Sequence, residues 1–199
     1  FTANNVPCLG IEPSKNVADI ATSRGIKTIV EFFDPSLVER IVTEHGRADV
    51  YLAANVMCHI SNIRSVVDGI KTLIKPDGIA VFEDPYLGDV IEKTTYDQIY
   101  DEHVFLYSVH AIQHLFQQYG MEVVDVQPQV THGGSMRYFV GNKGAWRIQS
   151  SVRKQLKAER DMGLTDPNTF DKFRQNCNHH RAELLKLLDE IKSDGNTIA

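Results

Sequence analysis

Along the first 142 residues the apolar positions switch repeatedly between a strand period and a helix period. Pro7–Ile11 is a short apolar run. Pro13 and Ser14 then open a helix predicted to reach about Arg24, where Gly25 closes it. Ile26–Phe33 is β-branched and aromatic and predicts a strand. Asp34-Pro35 starts the next helix, with Asp34 as cap and Pro35 where no amide donor is needed. Leu37, Val38, Ile41 and Val42 give that helix one apolar face, and Gly46 ends it. Asp49–Met57 is nearly continuous in apolar residues, the signature of a strand buried on both faces.

Ser61 or Asn62 caps a helix whose inward face is Val66, Val67, Ile70, Leu73 and Ile74. Lys75-Pro76-Asp77-Gly78 predicts a tight turn, and Ile79–Phe82 a strand. Residues 86–107 are irregular, with a short helix near Ile91–Tyr96. Ser108 caps a helix through Tyr119, stopped by Gly120. Met121–Val130 and Met136–Gly141 predict two antiparallel strands joined by the Thr131–Ser135 loop. Beyond Ile148 the strands cease. Residues 148–162 and 167–193 are helical, and Asp166-Pro167 is a second capped start. Alternating strands and helices with short links predict a mainly parallel sheet with helices on both faces. Such sheets bind ligands at the carboxyl ends of their strands.

Composition narrows the classes. The 199 residues carry a net charge of -5 and no Lys/Arg-rich block, so a phosphate-backbone grip on nucleic acid is not expected. No run of 18 apolar residues exists, so no membrane span is expected, and no signal peptide is visible. The three cysteines, Cys8, Cys58 and Cys177, are far apart and show no CxxC spacing. Neither a disulfide framework nor a thiolate zinc site is indicated, and a cytoplasmic location is expected. The chain opens on Phe1 without an initiator Met and stops just after a helix, so it reads as an internal piece of a longer protein.

Several polar residues directly follow strands. Glu12 could accept hydrogen bonds from ribose hydroxyls, or simply complement a helix N-terminus. Asn55 and His59 straddle Val56-Met57-Cys58 and precede a helix; a plain turn with a half-buried histidine is the alternative. Tyr100-Asp101-Glu102-His103 gathers four titratable side chains between Ile99 and Val104. A histidine there could take a proton, a carboxylate could orient it, and a tyrosine could donate to a developing enolate oxygen. A capping and salt-bridge cluster is the competing reading. His132-Gly133-Gly134-Ser135 with Arg137 offers amides, a hydroxyl and a guanidinium for a phosphate or a sugar, or forms an ordinary hairpin turn. No Walker loop, GxSxG elbow or HExxH motif is present.

Taken in order, Gly10-Ile11-Glu12-Pro13-Ser14, Ala54-Asn55-Val56-Met57-Cys58-His59-Ile60, Leu73–Gly78 and Phe82-Glu83-Asp84-Pro85 resemble the S-adenosylmethionine-dependent class I methyltransferases. Ile99–His103, Tyr107-Ser108 and Gly133-Gly134-Ser135-Met136-Arg137 are similar to one branch, the sugar C-methyltransferases, which methylate carbon 3 of a nucleotide-linked keto-deoxysugar. The resemblance runs from about residue 7 to the C-terminus. It implies an α/β fold with a Rossmann-like sheet lacking its first strand and Gly-rich loop. Residues 1–145 would be the truncated methyltransferase domain and 146–199 the helical start of a C-terminal domain. The N-terminal zinc domain of that branch is outside this sequence, and no metal is expected in this piece.

By the resemblance, Glu12, Phe32, Phe33 and Asn55 hold S-adenosylmethionine, with S-adenosylhomocysteine as its product. His103 is the base at carbon 3, and Tyr100, Glu102 and His59 complete the catalytic set. His132, Gly134, Ser135 and Arg137 contact the nucleotide-sugar substrate. The missing strand would lie between Pro7–Ile11 and Asp49–Met57, leaving two apolar edges. Direct closure of those strands, a homodimer through the edge, or an upstream segment would fill the gap. Two other classes compete. A nucleotide-sugar epimerase or dehydrogenase is disfavoured because neither GxGxxG nor a Tyr-x-x-x-Lys pair occurs. A non-catalytic binding module is favoured only by loss of the cofactor loop.

Overall fold

The structure is a computed structural model and describes residues 2–198. Six strands and seven helices follow the predicted order. They are β1 (Gly10–Ile11), α1 (Lys15–Ser23), β2 (Thr28–Ile29), α2 (Pro35–His45), β3 (Ala48–Ala54), α3 (Ile63–Leu73), β4 (Ile74–Pro85), α4 (Leu87–Lys93), α5 (Val109–Gln117), β5 (Met121–Gln129), β6 (Ser135–Asn142), α6 (Ser150–Asp161) and α7 (Pro167–Ser193). Three of the caps read from sequence form, while Asn62 stands at the start of α3 without a side-chain cap bond. The Asp34 carboxylate accepts from Leu37 N–H at 2.8 Å, and the Ser108 hydroxyl from Ala111 N–H at 3.1 Å. Asp166 accepts from Asn168 N–H at 2.9 Å. Each satisfies a donor that the first helical turn leaves free.

The strands form two sheets. β1 and β2 make a parallel pair of two residues each. The second sheet has the order β3-β4-β6-β5, parallel between β3 and β4 and antiparallel elsewhere. The antiparallel β5–β6 hairpin is as predicted. Of the alternatives for the gap, direct closure of the Pro7–Ile11 strand onto β3 does not occur: among the described residues β1 pairs only with β2, and β3 only with β4. With one neighbour apiece, β1 and β2 are much shorter than Pro7–Ile11 and Ile26–Phe33. β3 is not buried on both faces either. Val50 is 54% and Leu52 55% exposed on one face of the strand, while Ala53 on the other is buried, so one face is uncovered.

The predicted Lys75–Gly78 turn is absorbed into β4. Register jumps from Ala48↔Ile74 to Val50↔Ile79, so the Lys75–Gly78 stretch bulges out of the ladder. Gly78 is required there, since a Cβ would sit 2.9 Å from Lys75 N and 3.0 Å from Ala48 O. β4 also runs on to Pro85, past the predicted end at Phe82, and this carries Glu83 and Asp84 to the end of the sheet. The predicted helix near Ile91–Tyr96 begins earlier, at Leu87, and stops where Thr94 turns left-handed (φ 55°).

One face of the larger sheet holds the core. Phe82 stacks on Tyr138 at 4.9 Å and on Phe116 of α5 at 5.7 Å, with Val66, Val67 and Ile70 of α3 in the same cluster. A smaller cluster of Leu37, Val38, Ile41 and Leu73 ties α2 and α3 to Leu9, Ile11 and Ile29, joining the small sheet to the body. α6 packs against β5 and α5 and buries Val152. No helix among the described residues is long and apolar enough to cross a membrane.

Candidate active site

The carboxyl ends of β3 and β4 meet in a compact polar knot. β3 ends at Ala54, and Asn55 then takes a left-handed conformation (φ 52°), which asparagine tolerates better than most residues. Its N–H donates to Glu83 O at 2.6 Å, holding the turn on β4. A single 3-10 turn, Met57–His59, follows. Asp84, at the end of β4, accepts the Cys58 N–H at 3.1 Å through Oδ1. The segment 103–107 is tied onto the same turn. Phe105 N–H donates to Cys58 O at 3.1 Å, and the Tyr107 hydroxyl to Met57 O at 3.0 Å.

These ties bring His59, Tyr100 and His103 together across 44 residues of chain. The two imidazole centroids are 5.1 Å apart, and the Tyr100 ring lies 4.1 Å from that of His103. His59 Nδ1 lies 2.7 Å from Glu102 O, and His103 Nδ1 lies 2.8 Å from Gln98 O. A carbonyl can only accept, so both rings carry their proton on Nδ1 when neutral and present a lone pair at Nε2. The Tyr100 hydroxyl donates to His103 Nε2 at 2.9 Å. His103 is buried while Tyr100 is exposed, so the imidazole is sheltered and its hydroxyl partner faces solvent. Glu102 joins through its backbone carbonyl, and its side chain is exposed.

Asp84 is 1% exposed, and its Oδ2 has no hydrogen-bond partner among the described residues. Burial raises its carboxyl above the usual range, against the opposing pull of the Cys58 hydrogen bonds. Burial, reinforced by Asp84, pushes the Cys58 thiol far up as well. The thiol lies 3.7 Å from Asn55 Oδ1, within reach of a weak S–H donation.

A second network sits beside the knot. Arg137 stands directly across from Glu83 on β6 and donates to Glu83 Oε2 through Nε at 3.1 Å and a terminal nitrogen at 2.8 Å. Thr131 donates to the other oxygen at 2.7 Å. The Ser135 hydroxyl is buried and donates to Thr131 O at 3.1 Å, inside the hairpin. His132 is exposed and left-handed (φ 53°). Gly134 is required by its φ of 145° and by Asp89, whose side chain a Cβ would strike.

The expected cofactor residues are dispersed. Glu12 follows β1 in the small sheet and accepts the Ser14 N–H at 2.7 Å through Oε1. Phe33 is turned inward against Tyr51, 5.3 Å away, and against Gly69, so its ring belongs to the packing between α3 and β3. Phe32 is 76% exposed. Asp84 and Cys58 received no role in the sequence reading. The available signal was a pair of acidic residues closing an apolar strand immediately before a proline.

A mixed sheet with a parallel β3–β4 core, an antiparallel hairpin and polar residues at the strand ends is the Rossmann-like fold of the class I methyltransferases. Comparison with known proteins carries this to the family. The chain belongs to the methyltransferase-domain family, whose model matches residues 1–126, and the model of the C-methyltransferase C-terminal domain matches residues 130–199. C-methyltransferase NovU of Streptomyces niveus is 32% identical over 192 residues. That alignment covers 96% of this chain and 46% of NovU, so the chain spans about half the length of that relative.

Among solved structures, a SAM-dependent methyltransferase from Anabaena variabilis superposes with a TM-score of 0.56 at 14% identity, covering 72% of this chain and 71% of that one. Magnesium protoporphyrin IX methyltransferase from Synechocystis, solved with bound SAH, gives 0.53 at 10% identity, covering 71% and 66%. At such identities the likeness is one of fold.

Proposed function

We propose that the protein of which this chain is part is an S-adenosylmethionine-dependent C-methyltransferase acting on a nucleotide-linked keto-deoxysugar, with His103 as the base. The observation that carries the reading is the fixed tautomer of His103. Gln98 O holds the proton on Nδ1, so Nε2 is left as the basic atom, in a buried setting beside a phenol. A neutral imidazole nitrogen so oriented is suited to remove the acidic proton next to a carbonyl. The C–H electron pair passes into an enolate, and the proton ends on Nε2. As Nε2 becomes protonated, the Tyr100 hydroxyl is released from it and can turn to donate to the enolate oxygen. His59, also fixed by a carbonyl, presents a second Nε2 to the same space.

The residues at the sheet ends fit the cofactor in part. Glu12 keeps one carboxylate oxygen outside its Ser14 bond for ribose hydroxyls, and Asn55 directly follows β3 with its Oδ1 3.7 Å from the Cys58 thiol. Phe33 does not fit an adenine-lining role, because its ring is spent in the core. When bound, the cofactor supplies the electrophilic methyl group. Arg137, partnered by Glu83, and the His132–Ser135 loop would face the nucleotide part of the substrate in this reading, and the C-terminal helices would begin the domain that holds it.

Two measurements test the reading. Calorimetric titration with S-adenosylhomocysteine should show micromolar binding that weakens about 10- to 100-fold in Glu12→Ala, the scale of one or two hydrogen bonds to a carboxylate. Independently, incubation with a nucleotide-linked 4-keto-deoxysugar in heavy water should wash deuterium into carbon 3, read by NMR, and His103→Asn should abolish the exchange. No binding at millimolar ligand together with no exchange would leave the chain a non-catalytic module.

A further inference from the structure

Cys58, His59 and His103 come together although nothing in their spacing announces it. The Cys58 thiol and one ring nitrogen from each histidine lie within 4.8 Å of one another. Both histidines already make the outer contact that metal-ligating histidines make, an Nδ1–H donated to a backbone carbonyl. That contact fixes the ring and leaves Nε2 as the ligand atom. A second observation points the same way. Asp84 is buried, gives one oxygen to Cys58 N–H, and has its other oxygen without a hydrogen-bond partner among the described residues. A buried carboxylate with a free lone pair stabilises positive charge beside it.

We propose that Cys58, His59 and His103 form a binding site for one thiophilic divalent cation, Zn2+ or Co2+. The donor set selects the ion: one thiolate and two imidazoles suit zinc and cobalt, whereas magnesium and calcium prefer oxygen ligands. Three protein ligands leave the fourth tetrahedral position open to water, or to the Tyr100 hydroxyl next to His103. Zinc–sulfur and zinc–nitrogen bonds of about 2.3 and 2.0–2.1 Å require the three donor groups to draw closer than separations of up to 4.8 Å. The exposed Tyr100 can swing toward solvent to clear His103 Nε2. On binding, the thiol proton leaves to solvent as the metal–sulfur bond forms, and both Nδ1–H groups stay on their carbonyls.

The site uses the histidines of the proposed base but does not depend on the chemistry proposed for them. If that chemistry holds, an ion here occupies the lone pair of His103 Nε2 and switches the base off.

The test is a Co2+ titration of the chelator-stripped chain, without cofactor or sugar. It should saturate at one equivalent, with visible absorption of tetrahedral type and a thiolate charge-transfer band in the near ultraviolet. Zn2+ should displace the signal and Mg2+ should not. Cys58→Ser should lose the charge-transfer band while keeping weaker binding. His103→Ala should weaken binding at least tenfold, and Cys177→Ser should leave the spectrum intact. Circular dichroism of each variant separates loss of ligand from loss of fold. An aqueous octahedral Co2+ spectrum with the parent chain, or a charge-transfer band that survives Cys58→Ser, overturns the proposal. Since neither cofactor nor sugar is present, failure here leaves the deuterium-exchange result standing, and the reverse holds too.

Discussion

Replacing Glu159 by alanine removes a buried carboxylate that ties α6 to the rest of the molecule. Glu159 is 3% exposed, and its two oxygens accept from Val109 N–H at 2.6 Å, His110 N–H at 2.9 Å and the Tyr86 hydroxyl at 3.0 Å. The first two are free donors of the opening turn of α5, so the carboxylate caps that helix from another element. Hydrogen bonds to a charged group contribute about 1.5–3 kcal/mol each, and a buried donor left bare costs about 1–3 kcal/mol. Taking the carboxylate out of water in the folded state offsets part of that gain. A net loss of about 3 kcal/mol is expected for Glu159→Ala, which lowers Tm by about 6–12 °C in a chain of this size.

Glu159→Gln should fall between the two, because one carboxylate oxygen is replaced by an amide that faces a donor. Tyr86 supplies the internal control. Its hydroxyl also accepts from Gln155 Nε2 at 2.8 Å, so Tyr86→Phe has a cost of its own. Its coupling to Glu159 in a double-mutant cycle should be about 1 kcal/mol. Urea denaturation of the parent, the three single variants and the double mutant gives these numbers. A Glu159→Ala midpoint equal to that of the parent, or strict additivity with Tyr86→Phe, would refute the assignment of this carboxylate as the anchor of α6.

Three further outcomes follow from packing and charge. Burial raises the phenols of Tyr51, Tyr86 and Tyr138 above the ordinary tyrosine value, with Asp84 and Glu159 adding to it. Above about pH 10 the unfolded chain ionises these groups and the folded chain does not, so stability is full below that pH and falls by up to about 4 kcal/mol per pH unit above it. Phenolate absorbance should therefore appear together with loss of circular dichroism; gradual ionisation of these buried rings in an intact fold contradicts the burial argument. Phe82→Ala opens the stack between Tyr138 and Phe116 and should cost about 3–5 kcal/mol, read by chemical denaturation, with a loss under 1 kcal/mol counting against a rigid stack. Gly78→Ala forces the bulge backbone apart and should cost about 1–3 kcal/mol; an unchanged denaturation midpoint would mean that Lys75–Gly78 yields freely.

The order of elements, the helix caps and the β5–β6 hairpin were legible in the sequence because each depends on neighbours within a few residues. Asp34, Ser108 and Asp166 cap their own first turns. The hydrophobic period along α2 and α3 needs only to know that a core exists. Tyr100 and His103 stand out as a titratable set for the same local reason, since they lie three positions apart. What depended on absent or distant partners was not legible. Asp49–Met57 reads as a central strand, yet its outer edge is open, because burial belongs to the pair of strands and not to one of them. Phe33 reads by the resemblance as a cofactor-holding residue beside Phe32, and only the approach of Tyr51 and Gly69 turns it into the core.

The sequence by itself determined an α/β chain, the class of chemistry its strand ends could bear, and the resemblance that named its family. Tertiary structure alone decided that β1 and β3 stand apart, that Glu102 contributes a carbonyl rather than a carboxylate, and which nitrogen of each histidine faces a backbone carbonyl. It alone set His103 beside Cys58 and His59, and Asp84 against Cys58. The physical reason is range. Propensity, capping and hydrophobic period act over one or two turns of chain, whereas a tautomer, a buried charge or a ligand set is fixed by atoms that meet only when strands tens of residues apart are packed side by side.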